Sequence, residues 1–170
     1  MKAFARWFCC SLFFVNSVSG TAQDMTADKL QQIIEKVSDT VDVQGNSIRF
    51  VYQETFLICI YDENANRMRI ISPIIERDQL EEEQLLNAMV ANFHSALDVK
   101  YALSDEIIWS IYVHPLKELQ PHQLVDAIKQ VYAANATFGT SYSSTDLIFP
   151  GNTRKKDSTA RKRSIKKVKI

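Results

Sequence analysis

The side chains best suited to chemistry in this sequence are three histidines and an isolated cysteine. His94, His114 and His122 are the only histidines, and their spacing gives none of the i, i+2 or i, i+4 pairs that preset a metal site. Cys59 stands inside the apolar run 56–61, a setting typical of a buried small hydrophobe rather than of a nucleophile. These residues therefore predict neither a metal centre nor a thiol active site.

Two further patterns bear on chemistry. Three consecutive glutamates at 81–83 suggest cation binding, but consecutive helical residues point in different directions, so the three carboxylates cannot converge on one ion. The chain has only four glycines and contains neither a Gly-x-Ser-x-Gly elbow nor a phosphate-binding glycine loop. We therefore predict that the protein is not an enzyme and uses no cofactor and no metal.

Three helices are predicted where apolar residues recur at the spacing of one helix face. The first begins near Thr26, the second near Asp78 with a capping-box-like start, and the third at Gln120-Pro121. The second helix has the strongest pattern, a continuous apolar stripe of Leu85, Leu86, Met89, Val90, Phe93 and Leu97.

Strands are predicted between these helices from alternating apolar residues bounded by turn sequences. Four strands fall within residues 41–72, ending before Pro73, and a further hairpin falls within 101–114. The run 56–61 is apolar at every position, which predicts a central strand covered on both sides. The order α-β-β-β-β-α-β-β-α predicts an α+β domain of two layers, an antiparallel sheet with helices mainly on one face.

The zero net charge conceals three unlike segments. Residues 1–22 carry two basic residues and no acid, residues 23–151 carry 9 Lys and Arg against 19 Asp and Glu, and residues 152–170 carry 9 against one. We take these segments as a signal peptide, a folded domain and a basic tail.

The first segment predicts a cleavable signal peptide. Lys2 and Arg6 precede the apolar stretch 7–15, and small residues at 18–22 offer a cleavage site. The apolar stretch is about 9 residues, whereas a membrane-spanning helix needs about 20. We therefore expect an exported protein, periplasmic or extracellular after cleavage.

Several segments of the second half resemble a known family. They are Leu86–Phe93, Tyr101–Leu103, Ile108–Leu116 and Leu124–Ile128. Together they are similar to the YbjN-like proteins of bacteria, which share the fold of type III secretion chaperones. The resemblance covers about residues 26–149 in element order. It implies a small protein-binding domain, commonly dimeric and without enzymatic activity. Secretion chaperones act in the cytoplasm, whereas this chain is predicted to carry an export signal.

A surplus of apolar strand residues suggests the function. If the helices cover the face bearing Phe50, Ile58, Ile60, Trp109 and Ile111, the other face carries Val51, Leu57, Cys59, Tyr61, Ile108 and Tyr112. An uncovered apolar face usually marks an interface. We therefore predict that Val51, Leu57, Tyr61, Ile108 and Tyr112 face a protein or peptide partner or a second copy of the chain. The alternative is that residues 136–149 fold back and cover this face.

The basic tail suggests a second hypothesis, in which the protein docks on anionic lipid. We expect the tail to be disordered. Its cations would each contribute about 1 kcal/mol near an anionic membrane surface, and they are Arg154, Lys155, Lys156, Arg161, Lys162, Arg163, Lys166, Lys167 and Lys169. Nucleic acid is not the expected partner, because no aromatic residue interleaves the run to stack on bases. The alternative is a solubilising tail that folds against the acidic body.

Overall fold

The computed structural model describes residues 24–145. The predicted signal peptide 1–22 and basic tail 152–170 lie outside the described residues. The elements, in chain order, are α1 (Ala27–Val37), β1 (Thr40–Gln44), β2 (Ser47–Tyr52), β3 (Thr55–Asp62), β4 (Arg67–Glu76), α2 (Glu82–His94), β5 (Lys100–Ser104), β6 (Ile107–His114) and α3 (Pro121–Ala136). This order confirms the predicted α+β fold.

The strands form one six-stranded antiparallel sheet in the order β1-β2-β3-β4-β6-β5. Successive strands up to β4 are joined by hairpins, and Gly45 adopts a positive φ of 59° in the first turn, a conformation that favours glycine. The segment containing α2 then carries the chain past β6 to the edge position of β5, so that β6 returns beside β4.

Two boundaries differ from the sequence prediction. Strand β4 continues through Pro73. Its pairing with β6 shifts register between Pro73 and Ile75, and a bulge of this kind tolerates a proline because no backbone N–H is needed there. Helix α2 begins at Glu82 rather than near Asp78, which lies in a short 3-10 turn. The capping box is formed by Glu81 and Gln84 instead.

Helices α1 and α3 cover one face of the sheet. Leu30 and Ile34 of α1 and Leu124, Ile128 and Val131 of α3 are fully buried. They pack with alternate strand residues that are also buried, namely Ile48, Phe50, Leu57, Cys59, Met68, Ile70 and Tyr112. Each buried side chain of this size contributes about 1.5–3 kcal/mol to stability, so this layer is the core.

The strand register reverses the predicted assignment of the two faces for β3 and β6, whereas Phe50 and Val51 of β2 lie on the faces predicted for them. Residues that lie directly opposite each other on neighbouring strands share a face of the sheet. Phe50 pairs with Leu57, so Phe50 shares its face with Leu57 and not with Ile58. Leu57, Ile108 and Tyr112 are 0%, 1% and 7% exposed, and the register places all three on the same face as Phe50. The prediction that these three residues face a partner is therefore wrong.

The other two predicted partner-facing residues lie on opposite faces of the sheet. Val51 pairs with Phe56 on the face opposite the core. Tyr61 pairs with Met68 on the helix-covered face, where it is half-buried and its hydroxyl donates to the Gly45 carbonyl at 3.2 Å.

Helix α2 lies beside the edge strand β5. Its buried residues are the small Ala88 and Ala91. The Asn92 side chain accepts a hydrogen bond from the Tyr101 N–H at 2.7 Å and donates one to the Tyr101 carbonyl at 3.1 Å. The outer backbone N–H and C=O groups of an edge strand have no neighbouring strand to pair with. Asn92 supplies the hydrogen-bond partner for both of these groups at Tyr101.

Candidate protein-binding surfaces

The face of the sheet opposite the core, here called the open face, carries a continuous apolar row. The register aligns Ile58 of β3 with Ile71 of β4 and Ile71 with Ile111 of β6. No helix of the described residues covers these side chains, so the prediction that β3 is covered on both sides is wrong for residues 24–145. The apolar members of the open face are Val51, Phe56, Ile58, Ile60, Ile71, Trp109, Ile111 and Val113.

The open face is exposed at its ends and flanked by cations. Phe56 is 42% exposed and Val113 is 58% exposed. Arg49 lies between Asp42 and Ile58, Arg69 lies between Ile60 and Val113, and Lys100 lies opposite Ile111. The pattern suits a partner that brings apolar side chains together with carboxylates.

Residues 137–145 belong to the segment 136–149 that was the alternative cover for the face carrying Leu57, Ile108 and Tyr112, and they pack on the helix-covered face rather than on the open face. Phe138 and Tyr142 contact Tyr101 edge-on, with ring centroids 5.4 Å and 6.0 Å away. Tyr101 pairs with the buried Ser110 on the helix-covered face. Residues 137–145 therefore extend the core layer, and the rest of the predicted covering segment lies outside the described residues.

Helix α2 presents its large apolar residues to solvent. Phe93 is 83% exposed, and the other exposed members of this surface, here called the α2 stripe, are Leu86, Met89 and Val90. The sequence predicted the stripe, but the structure turns the alanine side of the helix inward because only small residues let α2 approach β5 closely. Four large apolar side chains on adjacent turns form an unpartnered helix face among the described residues.

The residues considered for chemistry are placed apart. Burial raises the pKa of the Cys59 thiol to about 12, so the reactive thiolate is suppressed. His114 contacts the Pro115 carbonyl through Nδ1 at 2.7 Å and stacks on Tyr112, whereas His94 ends α2 against Phe93. Within residues 24–145, no group of His, Cys, Asp and Glu is placed to hold a metal ion.

One polar cleft was not predicted from the sequence. It lies between α3 and the segment after α2, and its carboxylates are Asp98 and Asp126. Gln130 is 4% exposed and its Nε2 donates to Asp126 Oδ2 at 2.7 Å and to Asp98 Oδ2 at 3.5 Å. Its Oε1 is buried and has no hydrogen-bond partner within the described chain. Burial and the nearby Asp98 and Asp126 raise the pKa of Tyr112, which also lines the cleft.

The nine basic residues predicted to meet anionic lipid, Arg154 to Lys169, lie outside the described residues, so lipid docking stays a prediction. No helix between residues 24 and 145 has the length and apolar character required to cross a bilayer.

Solved structures with a similar fold include the following two. A chain of the HopA1–SchA chaperone–effector complex matches with a TM-score of 0.52 and 10% identity, covering 64% of this chain and 88% of that chain. The Yersinia pestis type III secretion chaperone SycH, solved in complex with a stable fragment of YscM2, matches with a TM-score of 0.50 and 10% identity, covering 64% and 95%. The fold is therefore that of type III secretion chaperones.

No known family model matches the chain, and no curated protein sequence matches it. The relationship to YbjN-like proteins stays a prediction. The α+β fold that this resemblance implied is confirmed.

Proposed function

We propose that this protein is a non-enzymatic binding module that holds a protein or peptide partner on the open face. The observation that carries this proposal is the apolar row Ile58, Ile71 and Ile111 in the middle of the sheet, which is half-buried and which no helix within residues 24–145 covers. A soluble domain rarely leaves a contiguous apolar patch exposed unless a partner covers it. Covering the row removes apolar area from water at about 25 cal/mol per Å².

The chemistry of the open face indicates what kind of segment fits. Arg49, Arg69 and Lys100 share rows with apolar residues. A partner segment with alternating apolar and acidic residues would place its apolar side chains on the isoleucines and its carboxylates near these cations. Charges of this kind steer association and select the partner more than they add affinity.

A second copy of the chain is the partner we propose for the α2 stripe. A two-fold axis brings the same patch of each copy together, and Phe93 with its neighbours Met89, Val90 and Leu86 forms such a self-complementary apolar surface. The arrangement leaves the open face of each copy free. The resemblance described above, to a family that is commonly dimeric, agrees with this pairing.

The structural neighbours support a binding role. SchA is found in a complex with an effector, and SycH in a complex with a fragment of YscM2. At 10% identity the likeness concerns the fold, and the proposal for this chain depends on its own exposed surfaces.

We further propose that the binding takes place outside the cytoplasm. Lys2, Arg6 and the apolar stretch 7–15 supply the order of features that an export signal requires. Fractionation of cells expressing the full chain tests this point, and recovery of an unprocessed cytoplasmic protein would contradict it.

Affinity capture with matched baits tests the binding proposal. Phe56→Gln with Val113→Gln removes the two most exposed apolar groups of the open face. The control, Val43→Gln, alters a side chain of similar exposure, 39%, whose strand partner is the buried Ile48. We expect a partner from the envelope fraction to bind the wild-type and control baits and to be lost from the double variant. Equal capture by all three baits would exclude the open face as the binding surface.

A further inference from the structure

The open face has opposite charges at the two ends of strand β4. Arg69 pairs with Val113 towards one end of this strand, and Glu76 pairs with Ile107 at the other end. Both pairs lie on the open face, since residues opposite each other share a face and Ile107 is two residues from Trp109. Arg69 and Glu76 are exposed, and the open-face residues of β4 between them are apolar along about 20 Å.

Each charged end of the open face is a cluster rather than a single side chain. The acidic end is a shallow cleft lined by four carboxylates, namely Glu76, Asp78, Asp105 and Glu106. This end stays negative when the neighbouring Arg77 is counted. The basic end is lined by Arg67 and Arg69, with Asp62 opposite Arg67, so two cations stand against one carboxylate there.

A face with these two ends is complementary to its own copy when the copy is turned end for end. A two-fold axis that lies in the face, perpendicular to the strands and between Ile71 and Pro73, exchanges the acidic end with the basic end. The axis places Arg69 of each copy against Glu76 of the other. The apolar middle of one copy then covers the apolar middle of the other.

We propose that the open faces of two copies pair in this way while no partner is bound. With the usual strand spacing and rise per residue, the paired area measures about 24 by 20 Å. The two copies therefore bury about 1,000 Å² in total, the low end for a specific interface. The pairing is weak, absent from dilute protein and separate from the α2 contact. A partner displaces the second copy, and this competition rests on the function proposed above, whereas the pairing itself does not.

The remaining cations of the open face explain why a partner competes well. In the paired arrangement, Arg49 and Lys100 meet apolar residues of the second copy. They lie on β2 and β5, away from the centre of the face, where long side chains can extend to water at the rim. A partner with carboxylates at these positions makes charge contacts that the second copy does not supply.

Sedimentation equilibrium of the full chain tests the pairing by charge exchange. All variants carry Phe93→Asp, which removes the α2 contact, and a reductant prevents crosslinks through Cys9 and Cys10. We expect a reversible equilibrium between monomer and dimer. Arg69→Glu or Glu76→Arg alone should lower the association constant about tenfold, because each alters two symmetry-related contacts and an exposed ion pair is worth up to about fivefold. The two substitutions together should restore most of the lost association.

The control reverses the same two charges on the helix layer. Glu35→Arg with Lys36→Glu changes exposed residues of α1 and should leave the association constant unchanged. Equal unfolding midpoints verify that each variant is folded. The pairing is overturned if the Phe93→Asp chain stays monomeric at every concentration. It is also overturned if the double exchange associates no better than the single variants.

The failure of the pairing and the failure of the proposed function are distinguishable. A chain that stays monomeric and still captures a partner through Phe56 and Val113 overturns the pairing and leaves the proposed function in place. A chain that pairs as expected and captures no partner supports the pairing and contradicts the proposed function.

Discussion

Replacing Asn92 by alanine should release α2 from the edge of the sheet. The substitution removes the acceptor for the Tyr101 N–H and the donor for the Tyr101 carbonyl, at 2.7 Å and 3.1 Å. Both backbone groups would then lack a partner in a partly buried position. Because an unsatisfied buried polar group costs about 1–3 kcal/mol, and water can reach part of this edge, we expect a loss of about 2–3 kcal/mol.

The measurement is urea-induced unfolding followed by circular dichroism, with Asn87→Ala as the control. Asn87 lies on the same helix, but it is exposed, so its replacement by a better helix former should change stability by less than about 0.7 kcal/mol. Asn92→Asp should be destabilising as well, because a carboxylate accepts from the N–H but cannot donate to the carbonyl. Equal midpoints for Asn92→Ala and Asn87→Ala would refute the role of Asn92 in positioning α2 and its stripe.

The remaining predictions concern the two faces of the sheet, the buried thiol and the α2 stripe. Leu57→Ala should lower the free energy of unfolding by about 2–5 kcal/mol, as large core truncations do. Phe56→Ala, at the neighbouring residue that is 42% exposed, should lower it by less than about 1 kcal/mol. Chemical unfolding measures both values, and equal losses of stability would contradict the face assignment. Cys59 should react with a thiol reagent only as fast as the protein unfolds. Because folding raises its pKa from 9.0 to about 12, its contribution to stability is present below pH 9 and lost as the pH rises towards 12; a midpoint that does not fall over this range would contradict that linkage. Phe93→Asp should convert a dimer to a monomer in light scattering without changing the unfolding midpoint of the monomer. Asn87→Asp on the same helix should leave the dimer intact. An unaltered mass for Phe93→Asp would exclude the α2 stripe as the dimer contact.

The order of elements could be predicted from the sequence because each helix and most strands carry their own periodic signal. The helix that starts at Pro121 and the hairpins with turn residues are examples. These signals are local, so they do not depend on knowing the tertiary contacts.

The assignment of the faces could not be predicted from periodicity alone. Residues 56–61 are apolar at both parities, and only the pairing of Phe50 with Leu57 and the docking of α1 and α3 decide which parity is buried. Without that register, the sequence placed Phe50 and Ile58 on the same face, and the error passed to Leu57, Ile108 and Tyr112.

The candidate binding surfaces were predictable in part. The α2 stripe is clear in the sequence, but the pattern does not say whether its partner is the sheet or another molecule. Ala88 and Ala91, together with Asn92, are the signal that the opposite side of α2 packs inward. Asp98 and Asp126 are far apart in the chain and meet only because the segment after α2 packs beside α3, so local patterns could not reveal their cleft.

The central claim, that the open face receives a protein partner, is tested most directly by the fluorescence of Trp109. This residue lies on the open face and is half-buried, with its indole N–H donating to the Ser104 carbonyl at 3.1 Å. In a chain with Trp7→Phe, Trp109 is the only tryptophan. Adding a captured partner that has no tryptophan should shift the emission to the blue and reduce quenching by acrylamide. A partner that binds while the emission and quenching of Trp109 stay unchanged would contradict the account.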